Sequence, residues 1–81
     1  MIIKYFAWIR DITSVNEENL NDSSIIDVNS LKKFIYTKYP KLKKHIDEDI
    51  IRISINLNYS YENDKISQSD EIALFPPVSG G

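Results

Sequence analysis

Hydrophobic and polar positions alternate with a period of two in three stretches of the chain and recur at helical spacing in a fourth. Residues 2–10, Ile-Ile-Lys-Tyr-Phe-Ala-Trp-Ile-Arg, are β-branched and aromatic and lack turn residues, which predicts a strand. Its period puts Ile3, Tyr5, Ala7 and Ile9 on one face, a candidate core set. Ile2, Lys4, Phe6, Trp8 and Arg10 fall on the other, where two large aromatics beside charge make a surface that something should cover. Residues 11–26 are polar and hold at most a short strand around Glu18–Asn21. Asp27 then caps a predicted helix. Val28, Leu31, Phe34, Ile35 and Tyr39 form its apolar stripe, and Pro40 ends it. Lys41 to Asp49 reads as a charged connection. Ile50–Asn56 predicts the next strand, with Ile51, Ile53 and Ile55 alternating against Arg52 and Ser54. A short strand near Tyr59–Tyr61 and a last one at Glu71–Phe75 complete the set. In the last, Ile72 and Leu74 face one way, Ala73 and Phe75 the other.

This order, ββαβββ, predicts an α+β domain of four or five strands and one helix. The helix must lie across one sheet face, since no second element is available for the other. The face carrying Phe6 and Phe75 is therefore expected to stay open. The 81 residues contain no repeat, linker or low-complexity segment, so residues 1–81 read as one small domain.

Composition mostly narrows the field. Hydrophobic residues at 42% and charged residues at 27% fit a soluble globular chain. A net charge of -2 argues against a nucleic-acid partner, which needs a positive surface field. With no cysteine there is no disulfide, thiolate metal site or thiol nucleophile. Neither a secretory signal nor a ~20-residue apolar run is present, so a cytoplasmic protein without a membrane partner is expected.

Side-chain chemistry has few places to reside. His45, the single histidine, sits among lysines and reads as a solvated surface residue, because no Ser or Asp pattern accompanies it. Asp47-Glu48-Asp49 matches no ligand loop and reads as a solvated turn, leaving no metal site expected. Lys41, Lys43 and Lys44 make a small basic patch near the helix end. The chain has two glycines, Gly80 and Gly81, so a glycine-rich phosphate cradle is excluded.

The remaining candidate is Phe75-Pro76-Pro77-Val78-Ser79-Gly80-Gly81. The prolines hold the chain extended after the last strand. Val78 and Ser79 are slim, and the two glycines carry no side chain. Such a segment can thread a narrow channel and present its carboxylate. Adenylation by ATP would give that carboxylate a leaving group, after which a sulfur or amine nucleophile can attack. Glycine at position 81 leaves approach to the carbonyl unobstructed. A frayed end would also suit these residues, although prolines that lower the entropy cost of docking have no use in an idle tail.

Leu74-Phe75-Pro76-Pro77-Val78-Ser79-Gly80-Gly81 resembles the C-terminus of the small, sulfur-carrier subunits of molybdopterin synthase. Asp70-Glu71-Ile72-Ala73 is similar to that family's Asp-Glu-Val-Ala, Ile55-Asn56 to its Val-Asn, and Tyr5-Phe6-Ala7-Trp8-Ile9-Arg10-Asp11 to its first strand. The matches cover roughly half the chain, at both ends. Ser69 stands where the family usually has glycine, which implies a strained turn or a turn of another type.

The resemblance implies a ubiquitin-like β-grasp fold, with residues 76–81 as an extended tail and a non-catalytic role for the chain on its own. Gly81, preceded by Gly80, would carry the sulfur. An adenylyltransferase related to ubiquitin-activating enzymes would consume ATP at Gly81, and no cofactor would be bound. A sulfur donor protein would then convert the adenylate to a thiocarboxylate. The large synthase subunit would receive the tail, and the sulfur would pass to cyclic pyranopterin monophosphate. In the resulting hetero-oligomer Phe6, Trp8, Tyr59 and Phe75 would form an apolar docking patch, with Arg10 as its polar anchor. Pro76, Pro77, Val78 and Ser79 would line the partner's channel. A thiazole or thiolation carrier, a ubiquitin-like modifier joined to lysines, or an unactivated β-grasp interaction domain are the alternatives.

Overall fold

The computed structural model describes residues 1–61 and 63–77. Among the described residues five strands form one sheet in the order β2-β1-β5-β3-β4. They are β1 (Ile2–Tyr5), β2 (Glu17–Asn19), β3 (Arg52–Ile55), β4 (Asn58–Tyr59) and β5 (Glu71–Phe75). The central pair β1 and β5 is parallel and every other pair is antiparallel. Three helices, α1 (Trp8–Thr13), α2 (Val28–Lys38) and α3 (Lys43–Asp47), accompany it, with a 3-10 turn at Pro40–Leu42. This mixed sheet with one main helix is the ubiquitin-like β-grasp arrangement.

The main helix starts where a capping residue was expected. Asp27 accepts from the Ser30 amide at 2.8 Å while the Ser30 hydroxyl accepts from the Asp27 amide at 3.1 Å. Each side chain satisfies a donor that the first helical turn leaves open. The backbone amide of Tyr39 closes on Ile35, and Pro40 opens the 3-10 turn. Val28, Leu31 and Ile35 bury the helix's apolar stripe against Ile3, Tyr5, Ile53, Ile72 and Leu74 of the sheet.

Two expectations from the sequence are corrected, and the turn at Ser69 proves to be one of another type. The first strand ends at Tyr5 rather than residue 10, because Ala7 takes φ 54° and ψ -136° and turns the chain into α1. Trp8, Ile9, Ile12 and Thr13 then recur at helical spacing, with Ile9 and Thr13 buried and Trp8 and Ile12 packed on the core. The charged connection after Pro40 contains α3, whose Ile46, with Leu42 one turn earlier, is buried. Its Lys43 and Asp47 pair at 2.7 Å four residues apart. At Ser69, no left-handed conformation occurs. Residues 67–70 close an ordinary turn with Asp70 N–H donating to the Ser67 carbonyl at 3.1 Å, and glycine is not required.

A partly buried polar cluster ties β2 to the sheet and to α2. The Tyr5 hydroxyl donates to Glu18 Oε2 at 3.3 Å, Tyr39 donates to Glu18 Oε1, and Lys38 Nζ lies 3.1 Å from the same oxygen. Burial first, then the adjacent Glu18, raises both phenols, Tyr39 to about 12 and Tyr5 further. Both Glu18 oxygens thereby have a donor in a place where an unpaired carboxylate would be costly.

Candidate functional site

The sheet face opposite the helices is where the docking residues were expected. Alternation carries Lys4, Glu71, Ala73 and Phe75 to that face, away from Ile3, Ile72 and Leu74. Lys4 and Glu71 pair at 2.6 Å, and hydrogen bonding to Glu71 holds the Lys4 ammonium above its usual range. Both are exposed, so the pair contributes little to stability.

Phe75 closes β5 and is half-buried, facing Arg52 across the ladder to β3. The ring of Tyr59, on the short edge strand β4, lies 6.0 Å from it. Phe6 leaves β1 at the same end of the sheet, its amide donating to the Leu74 carbonyl at 3.1 Å, and is 44% exposed. Of the expected docking residues, Phe6 follows β1 and Phe75 ends the adjacent β5, while Tyr59 reaches Phe75 from β4, the edge strand beyond β3. Ala7, which turns the chain just after Phe6, holds a backbone conformation that favours glycine.

Trp8 does not join them. Sitting at the start of α1, it packs edge-on against His45 at 4.9 Å and against the core. His45 is correspondingly half-buried rather than solvated, and its Nδ1 is buried without a hydrogen-bond partner among the described residues. No signal in the sequence points to this contact, because α3, which presents His45, has the composition of a charged connection. Arg10 is exposed on α1 and forms no ion pair among the described residues. Pro76 is half-buried and Pro77 exposed, directly after β5. Val78, Ser79, Gly80 and Gly81 lie outside the described residues.

Two of the matched motifs meet in the fold. Asn56 Nδ2 donates to Asp70 Oδ1 at 2.9 Å, the Glu71 amide donates to Asn56 Oδ1 at 2.9 Å, and the Asn56 amide donates to the Glu71 carbonyl at 2.8 Å. Hydrogen bonds from the Ser67 amide and then Asn56 hold the Asp70 carboxyl below its usual range. This clamp fixes the start of β5. Asp47, from the candidate acidic run, is instead held by Lys43 and Tyr36. Among the described residues no group of three His, Asp or Glu side chains could hold a metal ion. Nor is any helix long and apolar enough to cross a membrane.

Residues 3–81 match the ThiS family, a span that includes the tail. The chain belongs to the ThiS family. A molybdopterin synthase sulfur carrier subunit from Caenorhabditis briggsae is 27% identical over 81 residues, covering 98% of this chain and 94% of that one. Among solved structures, a Pyrococcus furiosus protein described as molybdopterin converting factor, subunit 1, superposes with a TM-score of 0.83 at 25% identity, covering 95% of both chains. The small archaeal modifier protein 1 of Methanosarcina acetivorans gives 0.75 at 30% identity, covering 99% of this chain and 94% of its own.

Proposed function

We propose that this ThiS-family chain is the sulfur-carrier subunit of a molybdopterin synthase, acting through the carboxylate of Gly81. The observation that carries the reading is the family match running through residue 81, joined to a tail of Pro-Pro-Val-Ser-Gly-Gly. The Caenorhabditis briggsae relative, a molybdopterin synthase sulfur carrier subunit, supports the cargo.

In this reading the Gly81 carboxylate attacks the α-phosphorus of ATP on a separate adenylyltransferase, releasing pyrophosphate. The terminal sulfur of a donor-protein persulfide then attacks the acyl carbon and displaces AMP, and a second thiol cleaves the resulting acyl disulfide, leaving the thiocarboxylate and a disulfide on the donor side. The large synthase subunit receives the tail, and the sulfur goes to cyclic pyranopterin monophosphate. This chain contributes no catalytic side chain. It supplies a slim tail, the apolar patch of Phe6, Tyr59 and Phe75 beside the point where that tail leaves, and Arg10 as a polar contact nearby. The work takes place in the cytoplasm.

Intact-mass measurement after incubation with the adenylyltransferase, ATP and a sulfur donor tests this directly. A mass gain equal to replacing one oxygen by sulfur is expected. No gain, under conditions that convert a control carrier, refutes it. A second reading, a ubiquitin-like modifier joined to lysines, is favoured by the likeness to the small archaeal modifier protein. Isopeptide-linked products in place of thiocarboxylate transfer would select it.

A further inference from the structure

The chain segment 57–61 combines three features that folding does not call for. Leu57, Tyr59 and Tyr61 alternate with Asn58 and Ser60, yet are 90%, 70% and 76% exposed. Ser60 is the residue that turns to the sheet, its hydroxyl and amide donating to the Ile53 carbonyl at 2.9 and 3.1 Å. An apolar period of two has therefore been placed at the surface.

Leu57 is also in a left-handed conformation, at φ 72° after Asn56 at φ 50°. Two successive positive values make a tight hairpin turn that favours Asn-Gly. Asn56 fits and is used in the clamp on β5. Leucine at the next position strains against its own Cβ and leaves an apolar side chain in water. Finally, exposed edge strands are ordinarily defended by charge, and residues 57–61 carry none.

We infer that Leu57 and Tyr61 extend the docking surface along the β4 edge and contact the large synthase subunit that takes the tail; the inference rests on the function proposed above. Continuity identifies the occupant. Tyr59 links the stripe to Phe75 at 6.0 Å. Tyr59, Tyr61 and Pro77 line one groove of about 730 Å³ together with Val28, Ile51 and Ile53 and the charged Lys32, Asp49 and Arg52. Pro77 leads into the tail, so a protein that grips the tail lies over this groove. Area argues against a second copy of the chain. Three such side chains offer on the order of 500 Å², short of the ~800 Å² per partner of a stable pair. Added to the patch of Phe6 and Phe75, the stripe belongs to one larger interface.

The test is calorimetric titration of the carrier with the purified large molybdopterin synthase subunit from the same genome, beside denaturant melts. Leu57→Asn and Tyr61→Ser should each weaken binding roughly tenfold, while Leu57→Asn raises the unfolding midpoint by relieving the turn. Gain of stability with loss of affinity is an outcome that a structural role for Leu57 does not produce. If both variants bind like the wild type while Phe75→Ala binds weakly, the inference is overturned and the proposed docking patch stands. If Phe75→Ala is also without effect, or the wild type fails to bind, the docking reading itself fails. Loss of a wild-type self-association in these variants, with unchanged binding to the large subunit, would assign the stripe to a second copy and overturn the proposal.

Discussion

The two faces of the sheet are built from alternate residues of the same strands, yet they obey different rules. On the helix-covered face Ile3, Tyr5, Ile72 and Leu74 are buried to within 1% of exposure and each position is defined by packing. On the other face Lys4, Glu71, Tyr59 and Phe75 stay partly or largely exposed, and the ion pair and the aromatic pair there are shallow. Burial against a second layer makes a residue answer to its neighbours within the chain. Where no layer covers the sheet, the side chains are free to answer to another protein. A mutation on one face should therefore register in stability and on the other in binding.

The adjacent residues Leu74 and Phe75 give the sharpest form of that contrast. Leu74→Ala should cost about 2–5 kcal/mol, because it removes buried atoms and leaves a cavity, measured by urea denaturation. Phe75→Ala should instead weaken partner binding by about 1–3 kcal/mol with the smaller loss of stability. Equal stability losses at both positions would erase the distinction between the faces.

The polar cluster under the covered face should behave as core. Glu18→Ala leaves the Tyr5 and Tyr39 hydroxyls without their acceptor and should cost about 1–3 kcal/mol. The same cluster sets an alkaline limit. Below the unfolded phenol value near 10 the contribution of these tyrosines is fully present. As pH rises from about 10 toward 12 the unfolded chain ionises first, and stability falls until the raised Tyr39 group also titrates. Denaturation midpoints across that window should decline, and Tyr39→Phe should make the decline shallower. An unchanged slope would mean that burial and Glu18 do not raise the Tyr39 phenol in the folded chain. The smallest effect is expected at Ala7. Ala7→Gly should stabilise the fold by about 1 kcal/mol, since glycine adopts that conformation without strain. Destabilisation would show that the turn is relaxed with alanine.

Local signals were readable where one residue type has one physical use. Asp27 before an apolar stripe and Pro40 after it bounded α2 because a cap and a missing amide act locally. Alternation in Glu71–Phe75 sorted core from surface along the whole of β5. Reading failed for residues 8–10, placed in a strand by their β-branched and aromatic content, and for the polar residues 11–13 after them, because packing makes residues 8–13 a helix. The spacing of Trp8, Ile9, Ile12 and Thr13 was the available signal, masked by Ala7, a residue not expected to take a positive φ. Trp8 was misplaced for the same reason, and the meeting of Trp8 with His45 depends on α1 and α3 packing together.

The sequence by itself determined the helix, the last strand, the slim tail with Gly80 and Gly81, and the absence of a thiol or a glycine-rich phosphate loop. These are properties of neighbouring residues or of composition. Tertiary structure decided the parallel pairing of β1 with β5, the gathering of Phe6, Tyr59 and Phe75 at one end, and the clamp of Asn56 on Asp70 and Glu71. It also left the apolar stripe of Leu57, Tyr59 and Tyr61 in solvent. The reason is that alternation states which side chains share a face but not which face receives a covering layer. That choice is made by contacts between segments far apart in the chain.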